Sequence, residues 1–158
     1  MNVQHRPKTY TYRHIISFEE TNVVGNVYFA RQVAWQGACR EMFLRDHAPA
    51  TLDEIAADLR LVTVRVACDY YHELRAFDDI AVHMTLTRQV GNRIILAFDY
   101  RVTRDGMALQ FARGEQEIRS MREGPEGLAA CPIPDDLARA LDLFAGSISA
   151  DPAILSIQ

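Results

Sequence analysis

Glu19-Glu20-Thr21-Asn22-Val23-Val24-Gly25-Asn26-Val27-Tyr28-Phe29 is the stretch on which the fold turns, because an acid-rich turn hands over at Gly25 to a long apolar segment. From Val27 to Asp46 the chain holds no Pro and one Gly. Apolar residues recur there on nearly every side: Val27, Tyr28, Phe29, Val33, Trp35, Ala38, Met42, Phe43 and Leu44. This predicts a helix wrapped by other structure and ending before Pro49. A helix N-terminus leaves about four backbone N–H groups without intrahelical partners and carries roughly half a positive charge, so the turn before it suits a polarised carbonyl.

On the N-terminal side, Tyr10, Tyr12, His14, Ile16 and Phe18 alternate with Thr11, Arg13 and Ser17, the signature of a strand with one buried face, broken only by Ile15. On the C-terminal side four more runs keep period two: Val62 to Tyr70, Ile80 to Leu86, Ile94 to Val102, and Leu109, Phe111 and Arg113. Gly91-Asn92 and Asp105-Gly106 stand where tight hairpin turns join the last three, since both dipeptides tolerate positive φ. Strand, buried helix, then antiparallel meander is an α+β order. It predicts a hotdog fold, a five-stranded antiparallel sheet wrapped around a long central helix. Such a sheet leaves unpaired edges, whose usual remedy is a second copy, so a homodimer or a dimer of dimers is expected.

The 158 residues, 49% of them hydrophobic, fit a single domain over residues 1–158. Its ordered core is expected at about residues 8–122. Gly124-Pro125-Glu126-Gly127 breaks the chain, Pro134-Asp135-Asp136 caps a short helix running to Phe144, and Ala145 to Gln158 has no firm pattern. Net charge is −4 and the basic residues, all Arg except Lys8, are scattered, a poor footprint for nucleic acid. No apolar run reaches the length of a signal peptide or a membrane span. Cys39, Cys68 and Cys131 are odd in number and far apart, which indicates neither a disulfide framework nor a zinc knuckle and suits a reducing cytoplasm.

Motifs narrow the chemistry. His14, His47, His72 and His83 show no i,i+4 pairing, so no metal is expected, and no dinucleotide fingerprint, P-loop or Gly-x-Ser-x-Gly elbow occurs, so no cofactor is expected either. Asn22 has two readings, a donor to a developing oxyanion or an Asx turn. Gly25 either lets a ligand approach the backbone or permits positive φ. Arg40 falls on the apolar side of the helix with Val33 and Gln36. A guanidinium there needs a carboxylate partner, a water-lined cavity or a route to solvent. Glu41, four residues before Arg45, has the spacing of a surface ion pair. Tyr28, Tyr70, Tyr71 and Phe98 read first as core aromatics and second as the lining of an acyl channel.

Thr21-Asn22-x-x-Gly25-Asn26-Val27-Tyr28 resembles the Thr-Asp-x-x-Gly-x-Val-Tyr stretch of hotdog-fold acyl thioesterases, with Asn22 at the Asp position. The longer run Glu19 to Ala30, with Trp35-Gln36-Gly37 and Cys39-Arg40-Glu41-Met42-Phe43-Leu44, closely resembles the thioesterases of enediyne polyketide biosynthesis. The similarity extends through Leu61-Val62-Thr63-Val64, Ala76-Phe77-Asp78 and Phe98-Asp99-Tyr100. The resemblance implies a stand-alone hydrolase that releases a polyene chain from the phosphopantetheine arm of the acyl carrier protein of an iterative polyketide synthase. It implies Asn22 and Arg40 as catalytic residues, water as nucleophile and no acidic catalytic residue, with Gly25, Asn26, Tyr28, Gln32 and Glu41 binding substrate. Two positions depart from the pattern: Phe29 stands where the broader family often has His, and Gln32 where the enediyne enzymes commonly have Tyr.

Gly25 and Arg40 are 15 residues apart, roughly 22 Å along a straight helix. Arg40 is therefore expected to reach Asn22 from a second subunit. A general acyl-coenzyme A thioesterase and a non-catalytic acyl-binding module are the rival readings.

Overall fold

A computed structural model of the protein describes residues 8–146; residues 1–7 and 147–158, most of the expected tail among them, lie outside the described residues. The chain runs β1 (Tyr10–Ile15), a short 3-10 turn (Phe18–Glu20), α1 (Ala30–His47), α2 (Pro49–Ala56), β2 (Leu59–Tyr70), β3 (Asp79–Val90), β4 (Arg93–Arg104), β5 (Met107–Gly124), β6 (Gly127–Ala130) and α3 (Asp135–Asp142). The antiparallel sheet has the order β1-β3-β4-β5-β2, with β6 paired to the end of β5. This is the expected hotdog sheet with a sixth short strand added. Asp105 and Gly106 take φ of 51° and 76°, and Gly91 takes 60°, so both expected hairpin turns form with the backbone their residues permit.

Period-two patterning places Ile80, Val82, Met84, Ile94, Leu96, Phe98, Tyr100 and Val102 on the concave face, all fully buried or nearly so. Against it α1 packs Trp35, Cys39, Phe43 and Leu44. At Gly114 helix and sheet approach so closely that a Cβ would lie 2.1 Å from the Gln36 Nε2. The core continues into α3, whose Leu137 and Leu141, with Phe144, are at most 3% exposed.

Two expectations are corrected. The helix starts at Ala30, not Val27, because the backbone N–H groups of Val27 and Tyr28 are taken by Leu74 O (3.0 Å) and Glu20 O (2.9 Å), which keeps both residues out of the helical ladder. α1 is not covered all round: Ala34, Glu41 and Arg45 are exposed, and only the face of Gln32, Trp35, Gln36, Cys39, Phe43 and Leu44 is buried. The helix does end before Pro49 as expected, at His47. Pro49 then opens α2 from the first helical position, and Asp136 Oδ2 accepts from the Ala50 N–H at 3.1 Å.

β2 is an edge strand of 12 residues with a bulge between Thr63 and Arg65. Val64 and Val66 on it are 52% and 38% exposed, an apolar edge left open in the single chain. Among the described residues, no helix is long and apolar enough to cross a membrane.

Candidate active site

The loop before α1 is pinned from below by one buried carboxylate. Glu20, 5% exposed, accepts from the Ser17 N–H (2.9 Å) and from Trp35 Nε1 (2.9 Å), and its two oxygens lie 2.9 and 2.8 Å from His14 Nε2. Burial alone would raise its pKa. The hydrogen bonds from Ser17, His14 and Trp35 outweigh that and hold the carboxyl below the ordinary glutamate value. β1, the 3-10 turn and α1 thus meet on one side chain, and the Asn22 turn follows two residues later.

In that turn the Asn22 Oδ1 accepts from the N–H groups of Val24 (3.1 Å) and Asn26 (3.3 Å), while the Asn22 carbonyl accepts from Gly25 (2.9 Å). The Asx-turn reading is therefore realised, and it fixes the amide so that Nδ2 has no protein acceptor among the described residues. Gly25 has φ of +87° and its N–H is used inside the turn, so it donates nothing to a ligand. The open donors stand further on. Among the described residues no acceptor meets the N–H of Phe29 or Ala30, at the start of α1.

Asn22, Asn26, Tyr28, Phe29, Gln32 and Tyr70 line a cleft of about 450 Å³ at this helix end, with His72 and Glu73 on its rim. Tyr28 and Tyr70 are 50% and 46% exposed and belong to the cleft, whereas Phe98 is core. The Tyr70 hydroxyl donates to Phe29 O at 2.8 Å and that of Tyr100 to Gln32 O at 2.8 Å. With its amide oriented to satisfy both groups, buried Gln32 donates Nε2 to the carbonyls of Phe29 (3.0 Å) and Tyr28 (3.3 Å). Its role in the single chain is to brace the first helical turn.

Arg40 lies elsewhere. Its Nη1 donates to Thr63 Oγ1 (2.9 Å) and Gln116 Oε1 (3.2 Å), and it borders an apolar seam of Phe43, Leu61, Met84, Ile118 and Leu141 between α1 and the sheet. Burial draws its pKa below the ordinary value against the opposing pull of Glu41, and it stays charged. Ten residues of helix, about 15 Å, separate it from Ala30. The single chain does not bring Asn22 and Arg40 together. Glu41 is exposed and does not pair with Arg45, whose Nε goes to Asp46 Oδ1 at 2.7 Å. The i,i+4 spacing loses to the adjacent carboxylate.

Cys68 faces the core near this cleft, but burial pushes its thiol up to about 11, and that of Cys39 up to about 12, so neither supplies a thiolate nucleophile. No group of three His, Cys, Asp or Glu residues gathers for a metal among the described residues. Sequence reading missed Phe29 and Ala30 as donors and Thr63 and Gln116 as partners of Arg40. Only the helix boundary held a local signal for the first pair.

A curled sheet over one helix, with polar donors gathered at the helix start, defines a hotdog acyl thioesterase. The chain belongs to the thioesterase-like superfamily, which it matches over residues 16–141. It is a thioester hydrolase of the type found in enediyne polyketide biosynthesis, and it is similar to the dynemicin thioesterase, with 44% identity over 89% of this chain and 100% of that one at a TM-score of 0.86. Two further structures share the fold: a 4-hydroxybenzoyl-CoA thioesterase (14% identity, 84% of this chain and 98% of that one, TM-score 0.76) and a Staphylococcus aureus protein in complex with CoA (14%, 96% and 94%, 0.76). No curated protein matches the sequence.

Proposed function

We propose that the protein hydrolyses a polyene acyl thioester carried on the phosphopantetheine arm of the acyl carrier protein of an iterative polyketide synthase. One observation carries the chemistry: Asn22, whose Nδ2 has no acceptor among the described residues, lines the same cleft as Phe29, the residue that opens the α1 end with its free N–H groups. Together they suit a thioester carbonyl as it becomes an oxyanion. Water adds to the carbonyl carbon, the C–S bond breaks, and the thiolate leaves and takes a proton. The polyene assignment draws on the likeness to the dynemicin enzyme, whose structure is reported with bound polyene. An apolar cleft of about 380 Å³ beside Arg40, lined by Leu44, Leu52, Ile55 and Leu61, suits the acyl chain. The unpaired cysteines fit a reducing cytoplasm.

The site is completed by a second copy. Antiparallel pairing of the open β2 edge with its own copy, which covers Val64 and Val66, turns the two strands past each other. The Thr63 end, over which Arg40 lies, then sits beside the Tyr70 end of the partner, next to its Asn22 cleft. Mixed dimers of Asn22→Ala and Arg40→Ala, formed by co-expression, are expected to recover about a quarter of wild-type turnover. Half of a random mixture is heterodimer, and each heterodimer carries one intact site. No recovery above either parent would reject a shared site.

Substrate class is tested by comparing hydrolysis of one polyenoyl group on a carrier protein and on coenzyme A. Faster carrier-protein turnover is expected; the reverse supports the general coenzyme A reading, and retained ligand without hydrolysis supports an acyl-binding module. Among the described residues lining the cleft, Glu73 is the one carboxylate, and Glu73→Gln is expected to leave turnover within a few-fold of wild type. A loss as large as that of Asn22→Ala would assign the base to Glu73.

A further inference from the structure

The sequence Glu115-Gln116-Glu117 on β5 alternates across the sheet. Glu115 meets Arg65 at 2.5 Å, and Glu117 meets Arg93 at 2.8 Å and Arg119 at 2.8 Å, all on the convex face. The residue between them turns inward beneath α1 and is 3% exposed, and there the carboxylate is replaced by its amide, Gln116. This is the residue that meets Arg40.

Arg60, Arg104 and Arg122 of the sheet each pair with a carboxylate. Arg40 is held differently. Both of its acceptors are neutral, the Thr63 hydroxyl and the Gln116 amide oxygen. Both engage Nη1, so Nη2 and Nε have no acceptor among the described residues. Among those residues no carboxylate lies within 4.0 Å of the guanidinium either. A carboxylate in either place would bind the cation more tightly and cancel its field. A neutral oxygen fixes the direction of the guanidinium and leaves the charge without an ion-paired carboxylate, with only the longer-range pull of Glu41 acting on it, which keeps it available to an oxyanion.

We propose that Gln116 and Thr63 are positioning residues for the thioesterase reaction, a neutral cradle that aims Arg40 while keeping its positive charge available to the developing oxyanion. This rests on the reading of Arg40 as an oxyanion donor. It adds that the identity of residue 116 as an amide, not an acid, is itself a requirement for turnover.

The test is Gln116→Glu, which changes charge and almost no volume, assayed on a polyenoyl N-acetylcysteamine thioester with thermal unfolding measured in parallel. The expected result is a kcat lower by about tenfold or more with KM within about twofold, and a Tm equal to or above that of wild type. A purely structural contact predicts the opposite split, in which the new ion pair leaves kcat unchanged. Thr63→Asp places the same charge beside Nη1 from an exposed position and should reproduce the loss even where Gln116→Glu folds poorly; Thr63→Ser should retain wild-type turnover. Arg40→Ala in the same assay separates the two layers of the reading. If Arg40→Ala turns over like wild type, the oxyanion role falls and the cradle with it. If Arg40→Ala is inactive while Gln116→Glu and Thr63→Asp both retain wild-type kcat, the cradle alone is overturned.

Discussion

Arg40→Ala is expected to fold as the parent does and to lose turnover by about 10²- to 10³-fold, the range for removing one preorganised oxyanion donor. Folding should survive because, among the described residues, the guanidinium makes only two hydrogen bonds, one of them at the solvent-exposed Thr63, and no ion pair. The truncated side chain leaves a space at the edge of the apolar seam that water can fill. Turnover should fall because nothing else in the seam carries a charge. Arg40→Lys is expected to recover only part of the rate, since an ammonium cannot keep the bonds to Thr63 and Gln116 while presenting a second planar donor. Asn22→Ala should lose about as much, by removing Nδ2 and by releasing the turn that Oδ1 holds at Val24 and Asn26. Steady-state hydrolysis of one thioester by all three variants checks this. Wild-type rates in both alanine variants would remove the oxyanion mechanism.

Glu20→Ala should destabilise the protein by about 3 kcal/mol or more, seen as a Tm lower by roughly 10 °C in a chain of this size. The substitution leaves the Ser17 N–H, the indole of Trp35 and the ring of His14 without their common acceptor, and each unsatisfied buried donor costs about 1–3 kcal/mol. The same carboxylate gives a pH dependence with a defined sign. Its folded-state pKa lies below the ordinary value, so its contribution is complete above that value and is lost as pH falls through the folded-state pKa. Wild-type Tm should therefore drop more steeply than that of Glu20→Gln between about pH 5 and pH 3. Parallel slopes would show that this carboxyl does not report on folding. Because Tyr28 donates its N–H to the Glu20 carbonyl and the Asn22 turn follows directly, turnover at neutral pH should fall with the structural loss.

The meander could be read from the chain because each strand places alternate residues on one face, and the apolar set of Ile94, Leu96, Phe98, Tyr100 and Val102 keeps that period throughout. The two hairpins were legible from dipeptides whose backbone tolerates positive φ. α2 went unread because eight residues opened by Pro49 carry little periodic signal, and the proline reads equally as the end of α1. The helix start was misplaced for a related reason. Val27 and Tyr28 look like helix residues, and only their bonds to Leu74 and Glu20 exclude them. Val64 and Val66 read as a buried face, yet a bulge and an edge position leave them open in one chain.

Within the site, Asn22 stood out from its neighbours in sequence, and Arg40 from being a cation on an apolar face. Gln116 gave no such signal, lying 76 residues from Arg40 between two glutamates of the opposite face. Local sterics and the period of apolar side chains determined the kinds of element and their order, since those depend on residues a few positions apart. Closing the sheet decided which amide meets the guanidinium, which carboxylate anchors the loop and which N–H groups stay open. Each of those contacts joins residues that propensity treats as independent, and only packing brings them within hydrogen-bond range.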